Sequence, residues 1–195
     1  MKIAIVKLSA LGDIIHSMVA LQFIKKYHPE YEIDWIVEER FKGLLINNPH
    51  LNAVHTVCLK EIKSWRLFLN EIRKIKNFGS YDVVIDAQGL IKSSIVSRLI
   101  KSKKRVGFDR RSIREPLATC LFTDKVYVDY SKNTIDRMVE LICFPFGIEV
   151  STDEIITKSL FIYTSSRVKV PKKPYIVFVI GSTWENRNYP KEKFL

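Results

Sequence analysis

The sequence predicts an α/β fold, a Rossmann-like open parallel sheet with helices on both faces. Unbroken apolar runs at residues 3–6, 83–85 and 175–180 are typical of strands that are covered on both sides. Segments with apolar residues at helical spacing follow the first two runs, and small-residue turns join each strand to its helix. This alternation of buried strands with amphipathic helices is the pattern of a parallel sheet.

Length and composition are those of a folded protein that attracts anions. A chain of 195 residues, 47% hydrophobic and 27% charged, can bury one sizeable core. The surplus of 32 basic over 21 acidic residues gives a formal charge of +11. Such a charge favours anionic partners, whether nucleic acid, phospholipid or a phosphorylated glycolipid, and does not choose among them.

The first βα unit, residues 2–21, places a carboxylate at the start of a helix. A turn containing Gly12 follows the strand, and Asp13 falls in the first helical turn. Such turns lie at the carboxyl edge of a parallel sheet, where these folds build ligand crevices. We expect Asp13 to be anionic at neutral pH, either as a helix cap or as a group that acts on a ligand. The turn lacks the GxGxxG spacing of a dinucleotide site, so no such cofactor is predicted.

Three further elements are predicted before residue 62, a strand at 32–37, a short helix at 40–46 and a strand at 53–58. An amphipathic helix at 63–78 follows, with its apolar positions at Trp65, Leu69, Ile72 and Ile75. Lys63 and Arg66 open this helix. They belong either to a solvated face or to a site that holds an anionic ligand.

The second clear βα unit repeats the geometry of the first. A strand at 83–85 leads through Asp86, Gln88 and Gly89 into a helix at 90–100. Gln88 and Gly89 should therefore lie at the same edge of the sheet as Asp13, with backbone N–H groups available to an oxyanion or a sugar hydroxyl. A tight turn that needs glycine is the alternative explanation of Gly89.

The densest basic segment spans residues 98–114. Eight cations are opposed by a single acid and stand at Arg98, Lys101, Lys103, Lys104, Arg105, Arg110, Arg111 and Arg114. We expect residues 101–104 to form a solvated loop and Arg114 to hold a carboxylate or phosphate, with Glu115 orienting it. Phe108 is the only aromatic residue of the segment. It offers no stacking platform, so nucleic-acid binding is not predicted.

The remaining elements predict a boundary between two domains. A strand at 126–128 and a helix at 134–146 end the first domain, residues 1–148. Residues 149–174 are predicted as a linker, and residues 175–195 as the first strand and turn of an incomplete second domain. The turn after that strand reads GSTWENRNYP, a geometry suited to phosphate through Ser182, Thr183 and Arg187.

Four segments carry a family resemblance, and they read KLSALGDIIHSMVAL at 7–21, DWIVEERF at 34–41, VVIDAQGLIKSS at 83–94 and REPLA at 114–118. In this order they resemble the ADP-heptose:lipopolysaccharide heptosyltransferases of glycosyltransferase family 9, most closely the type I enzymes. The resemblance implies the GT-B arrangement of two Rossmann-like halves. It also implies inverting transfer of L-glycero-D-manno-heptose from ADP-heptose to the Kdo of Kdo-lipid A, without a metal or other cofactor. Type II specificity and a non-catalytic acceptor-binding module are the alternatives.

The resemblance also implies roles for the residues singled out above. Asp13 would be the catalytic base. The donor would be bound by Gly12, Ser182, Thr183 and Arg187, although family members generally carry lysine where Arg187 stands. The acceptor would be bound by Lys63, Arg66, Gln88, Gly89, Arg114 and Glu115.

The cellular location follows from the same resemblance and from what the sequence lacks. It has no apolar run of about 18 residues, and its amino terminus leads directly into a strand rather than a signal peptide. The three cysteines are widely spaced and are expected to be buried thiols in a reducing compartment. We expect a cytoplasmic protein, peripheral on the cytoplasmic face of the inner membrane.

Overall fold

The computed structural model describes residues 1–61, 63–163 and 173–176. The chain divides into two compact units, Met1–Ser165 and Ser166–Leu195, and the helices and strands among the described residues belong to the first. Its strands are β1 Lys2–Val6, β2 Glu32–Glu38, β3 Ala53–Val57, β4 Ser80–Asp86, β5 Lys101–Phe108 and β6 Asp124–Val126. Its α-helices are α1 Leu11–Tyr27, α2 Trp65–Lys76, α3 Ile91–Leu99, α4 Thr134–Cys143 and α5 Thr152–Ile156. Short 3₁₀ helices span Glu39–Leu44, Leu59–Glu61, Pro116–Leu121 and Phe144–Phe146.

The six strands form one parallel sheet in the order β3-β2-β1-β4-β5-β6, which confirms the predicted fold class. The order reverses at β1, which pairs with β2 on one side and with β4 on the other. Val6 at the end of β1 is in register with Ile36 of β2 and with Asp86 of β4. In open α/β sheets the ligand crevice lies outside the carboxyl ends of the strands at this reversal.

Helices cover both faces of the sheet, and this explains why β1 is apolar without interruption. Ile3 and Ile5 are buried on the face that carries α1 and α4. Ala4 and Val6 are buried on the opposite face, together with residues of α2 and α3. Successive side chains of a strand point to opposite faces, so a strand covered on both sides needs apolar residues at every position.

Strand β5 corrects the expectation that residues 101–104 form a loop, because Lys101–Phe108 is a continuous strand. Its polar first half pairs only with β4, while β6 joins it from Val106 onward. Lys103 stays exposed, and its ammonium lies 2.6 Å from Asp82 Oδ1. Backbone pairing to a neighbouring strand determines the structure here, and the side chains of this half carry no strand signal.

Three other observations bear on the predictions from sequence. Cys143 is buried as expected, but Cys58 is only partly buried and Cys120 is exposed, because Cys120 lies on a surface 3₁₀ helix. Helix α5 falls inside the predicted linker, and its Ile155 is buried in the core beside α1 and α4.

Among the residues that the structure describes, no helix is long and apolar enough to cross a bilayer. The domain boundaries stay a prediction.

Candidate active site

A cavity of about 180 Å³ lies at the carboxyl edge of the sheet, beside the reversal of strand order. The turns after β1, β4 and β5 and the start of α4 meet there. Its lining is Lys7, Asp13, Gln88, Gly89, Leu90, Phe108, Ser112, Arg114, Tyr130, Thr134, Arg137 and Met138. A larger cavity of about 570 Å³ beside α4 and α5 contains no arginine and only one lysine, Lys132, which pairs with Glu140. Chemistry rather than volume therefore selects the smaller cavity as the candidate site.

Asp13 is positioned by the first turn of α1, and it both caps the helix and faces the cavity. Its Oδ2 accepts a hydrogen bond of 3.3 Å from the N–H of Ala10, the residue that precedes α1. The capping function considered from the sequence is therefore present. Within the described residues, the other carboxylate oxygen accepts no hydrogen bond. A side chain held by one oxygen in this way can offer the second to a ligand.

Lys7 is a buried cation on the cavity lining, and the sequence analysis did not single out this residue. It directly follows the last residue of β1, and only 4% of its surface is exposed. Its ammonium donates a hydrogen bond of 2.9 Å to the carbonyl of Ala87. Burial lowers the pKa of Lys7, and the negative charges of Asp13 and Asp86 oppose this effect. A lysine immediately after a buried apolar strand is the sequence signal that could have identified it.

Asp86 is fully buried at the end of β4 and organises the second turn. Its Oδ1 accepts the backbone N–H groups of Gln88 at 2.9 Å and Gly89 at 3.0 Å, and the Ser93 hydroxyl donates to both of its oxygens. Burial raises the pKa of Asp86 to about 6, against the effect of these hydrogen bonds and of Lys7. The expectation that the N–H groups of residues 88 and 89 are available to an oxyanion is therefore wrong, since Asp86 already occupies them.

The contribution of Gly89 is conformational. Its φ is +72°, in the left-handed region, and a Cβ there would lie 3.2 Å from Ile113 Cγ1. These two facts account for glycine as the tight-turn residue considered from the sequence. Gly89 and Gln88 nevertheless line the cavity.

Gln88 joins the two turns that frame the cavity. Its Oε1 accepts hydrogen bonds from the N–H groups of Leu8 and Ser9, both at 3.1 Å. These two residues belong to the turn that carries Asp13. The geometry of the β1 turn is thus tied through a single amide oxygen to the end of β4.

Arg137 on α4 is a second cation that sequence reasoning missed. It donates from Nη2 to the carbonyl of Ser112 at 2.8 Å, and its guanidinium lies 4.1 Å from the ring centre of Tyr130 and 5.3 Å from that of Phe108. Its buried Nε has no hydrogen-bond partner in the described part of the chain. Arginine at a lone helix position carries no sequence signal, so only the packing of α4 against the β5 turn identifies it.

The cavity therefore contains more positive than negative charge at its surface. Lys7, Arg114 and Arg137 line it together with one carboxylate, that of Asp13. Arg114 is exposed and Arg137 is half-buried. An acceptor or donor with carboxylate or phosphate groups is the ligand that this arrangement suits, and Asp13 supplies the one carboxylate on the lining that could accept a proton.

The other predicted residues lie outside this cavity. Gly12 is exposed in the first turn of α1 and is not part of the lining. Glu115 Oε2 accepts the N–H of Ile91 at 2.6 Å and so caps α3, and no hydrogen bond joins it to Arg114 in the described structure.

Lys63 and Arg66 are exposed at the start of α2, and neither residue lines the cavity. Three predicted donor-binding residues lie outside the described residues, and they are Ser182, Thr183 and Arg187.

Metal ligands are not clustered in the part of the chain that the structure describes. No group of three or more histidine, cysteine, aspartate or glutamate side chains there is arranged to hold a metal ion.

Comparison with known proteins identifies the family to which this chain is similar. Residues 71–195 match the family model for "Glycosyltransferase family 9 (heptosyltransferase)". The lipopolysaccharide heptosyltransferase 1 of Campylobacter coli is 40% identical over 205 residues, which cover 99% of this chain and 58% of that protein. The enzyme of the same name from Pseudomonas aeruginosa is 30% identical over 98% of this chain and 55% of its own length.

Solved structures give the same result. The E. coli heptosyltransferase WaaC with ADP-2-deoxy-2-fluoro heptose superposes with a TM-score of 0.82 at 27% identity, covering 98% of this chain and 62% of that one. E. coli ADP-heptose lps heptosyltransferase II superposes with a TM-score of 0.54 at 21% identity, a likeness of fold only. The chain thus spans somewhat more than half the length of the relatives that it matches.

Proposed function

The chain belongs to glycosyltransferase family 9, and from this membership we propose that it transfers L-glycero-D-manno-heptose from ADP-heptose to the Kdo of Kdo-lipid A. The curated relatives are named lipopolysaccharide heptosyltransferase 1, and the WaaC structure contains an ADP-heptose analogue. The single observation that carries the proposal is the cavity at the strand reversal, where Asp13 faces Lys7, Arg114 and Arg137. Type I specificity is favoured by the names of the curated relatives, which match 98–99% of this chain at 30–40% identity.

In the proposed reaction, Asp13 is the base. A hydroxyl oxygen of Kdo attacks the anomeric carbon of heptose from the face opposite the diphosphate, and its proton passes to the free carboxylate oxygen of Asp13. The bond between that carbon and the β-phosphate oxygen breaks, and ADP leaves with the electron pair, so the configuration inverts. A well-placed general base contributes roughly 10²- to 10⁴-fold to such a step.

The cations of the cavity serve the acceptor in this mechanism. Kdo carries a carboxylate, and Arg114, an exposed residue of the cavity lining, can hold it with two parallel N–H donors. Arg137 adds a fixed positive charge, since Ser112 and the ring of Tyr130 restrain its orientation. Gln88 and Gly89 shape the wall on the other side.

Donor binding involves residues beyond this cavity. We assign it to Gly12 and to three residues of the GSTWENRNYP segment, Ser182, Thr183 and Arg187. Hydroxyl donors and a cation stabilise a departing diphosphate by position and charge. The proposed location is the cytoplasmic face of the inner membrane, where a lipid-anchored acceptor is available to a peripheral protein.

A second function is an acceptor-binding module without catalysis. It is favoured by the three cations on the cavity lining, Lys7, Arg114 and Arg137, which suit an anionic acceptor whether or not transfer follows. In this case the cavity would bind Kdo-lipid A while the chain would not complete transfer.

One experiment separates the two functions. The chain is incubated with ADP-heptose and Kdo-lipid A, and the gain of one heptose on the lipid is followed by mass spectrometry, with acceptor affinity measured by calorimetry. Transfer supports the enzyme, binding without transfer supports the module, and the absence of both refutes the site. Asp13→Asn should reduce the transfer rate by roughly 10²- to 10⁴-fold with little change in acceptor affinity. Asp153→Asn, at an exposed first-turn carboxylate of α5, is the matched control and should transfer normally.

A further inference from the structure

A second group of cations lies at the amino edge of the sheet, at the opposite end of the strands from Asp13. Helices α2 and α3 end there and β5 begins there, because each helix returns the chain to the start of the next strand. An open cavity of about 580 Å³ lies between these three ends. Four of its seven lining residues are cations, here called the amino-edge cluster, and they are Lys76, Arg98, Lys101 and Arg105. The other three are a leucine, an isoleucine and a serine.

No carboxylate of the described residues forms an ion pair with any member of the amino-edge cluster. Two cations that are close in sequence do have such partners. Lys74 lies 3.6 Å from Glu71, and Lys103 lies 2.6 Å from Asp82. The acids beside the cluster are therefore engaged elsewhere, and four positive charges around one cavity repel each other. A bound anion would relieve this repulsion.

Arg105 is the member of the cluster whose orientation is fixed. Its Nε donates to the carbonyl of Ser97 at 3.2 Å, and its Nη2 donates to the carbonyl of Ile100 at 2.9 Å. Within the described part of the chain, its Nη1 donates no hydrogen bond. Burial and the neighbouring charge of Arg98 both lower the pKa of Arg105. A guanidinium held in place with donors to spare, beside a second cation, is suited to phosphate oxygens.

Helix dipoles account for only part of this arrangement. Lys76 and Arg98 lie in the last turns of α2 and α3, where a positive side chain is favourable. Arg105 already satisfies two carbonyls at the end of α3, however, and Lys101 is the first residue of a strand, which has no comparable dipole. The meeting of all four cations at one cavity is explained by an anionic ligand.

We propose that the amino-edge cluster binds a small soluble molecule that carries at least two phosphate charges, such as a diphosphate. Arg105 holds the phosphate oxygens, and the three exposed cations around it balance their charge. A soluble ligand is favoured over a lipid surface because the lining contains no exposed large apolar side chain that could enter a bilayer. The site shares no lining residue with the cavity containing Asp13, so the inference goes beyond the proposed function and does not depend on it.

The test is titration of the ¹⁵N-labelled chain with inorganic pyrophosphate at constant ionic strength, followed by nuclear magnetic resonance of the backbone amides. The amides of Leu99, Ile100 and Ser102 report on the amino-edge cluster, since these residues line its cavity. The amides of Gly89 and Leu90 report on the cavity containing Asp13. We expect saturable shifts at residues 99, 100 and 102. Because each cavity has its own reporters, phosphate binding at one is measured separately from binding at the other.

A double variant and a matched control locate the binding. Arg98→Gln with Lys101→Gln removes two exposed cations of the cluster and leaves the hydrogen bonds of Arg105 in place. It should raise the apparent Kd at these reporters roughly tenfold or more, because charge-assisted contacts to phosphate are lost. Lys104→Gln with Lys125→Gln removes the same charge at two exposed residues outside the lining and should stay within about twofold of the wild type. An unfolding midpoint measured for each variant verifies that it is folded.

Three outcomes would overturn the proposal. Shifts that are absent at residues 99, 100 and 102, or confined to Gly89 and Leu90, would show that pyrophosphate does not bind at the amino edge. Equal weakening by the cluster variant and the control would assign the binding to net charge alone. Binding to phosphatidylglycerol vesicles or duplex DNA that depends on Arg98 and Lys101, without pyrophosphate binding, would assign the cluster to a macromolecular surface instead. None of these results bears on heptose transfer, which is measured separately.

Discussion

Replacing Gln88 by alanine tests how the turn that carries Asp13 is held. In the structure, Gln88 Oε1 accepts the N–H groups of Leu8 and Ser9 at 3.1 Å each, and Leu8 is fully buried. A hydrogen bond inside a protein contributes about 0.5–1.5 kcal/mol net, so losing two should destabilise the chain by about 1–3 kcal/mol. At a central value of about 2 kcal/mol, the thermal midpoint should fall by about 4–8 °C for a chain of this size.

The assay is urea denaturation followed by circular dichroism, with the free energy of unfolding obtained by linear extrapolation. The slope of the free energy of unfolding against urea concentration should stay nearly unchanged, since one substitution hardly alters the surface that unfolding exposes. Gln88→Glu is the control because its carboxylate offers an acceptor at the same position, and its stability should stay close to that of the wild type. A Gln88→Ala chain within about 0.5 kcal/mol of the wild type would refute the reasoning, because such a change is typical of unconnected surface positions.

Two further predictions concern the core. Tyr81→Phe removes the hydroxyl that donates to buried Asp34 Oδ2 at 2.7 Å and should cost about 1.5–3 kcal/mol. Burial raises the pKa of Asp34, but hydrogen bonds from His55 and Tyr81 outweigh this effect and leave the pKa below its usual value. The ionised carboxylate therefore stabilises the fold at pH values above its unfolded pKa. This stabilisation is lost as the pH falls through the folded pKa. The difference in urea midpoint between wild type and variant should therefore be largest at neutral pH and shrink as the pH falls below the unfolded pKa of Asp34, and a difference that stays constant with pH would contradict this. Gly107→Ala would place a Cβ 2.3 Å from the ring of Phe122 and should cost about 1–3 kcal/mol, whereas Gly43→Ala, with no atom within 4 Å, should be nearly neutral by the same urea assay.

The elements that sequence reasoning predicted well are those whose side chains report their own burial. Strand β1 is apolar at every position from Ile3 to Val6 because helices cover both of its faces. Helix α1 repeats its apolar residues at helical spacing because it packs against one face of the sheet. Strand β5 was missed in its first half because backbone pairing with β4 holds it while its lysines stay in solvent. A pattern of side chains cannot reveal a strand that is stabilised by main-chain hydrogen bonds alone.

The features of the candidate site also fall into those that the sequence reveals and those that only the structure reveals. The amino-acid sequence by itself determined the parallel α/β sheet, the two βα turns and the family segments, because these depend on residues close together in the chain. Only the tertiary structure decided that Lys7 and Arg137 join Asp13 around one cavity, and that Asp86 takes the N–H groups of the second turn. Such contacts join residues many positions apart, and their existence depends on strand order and helix packing, which no local spacing encodes.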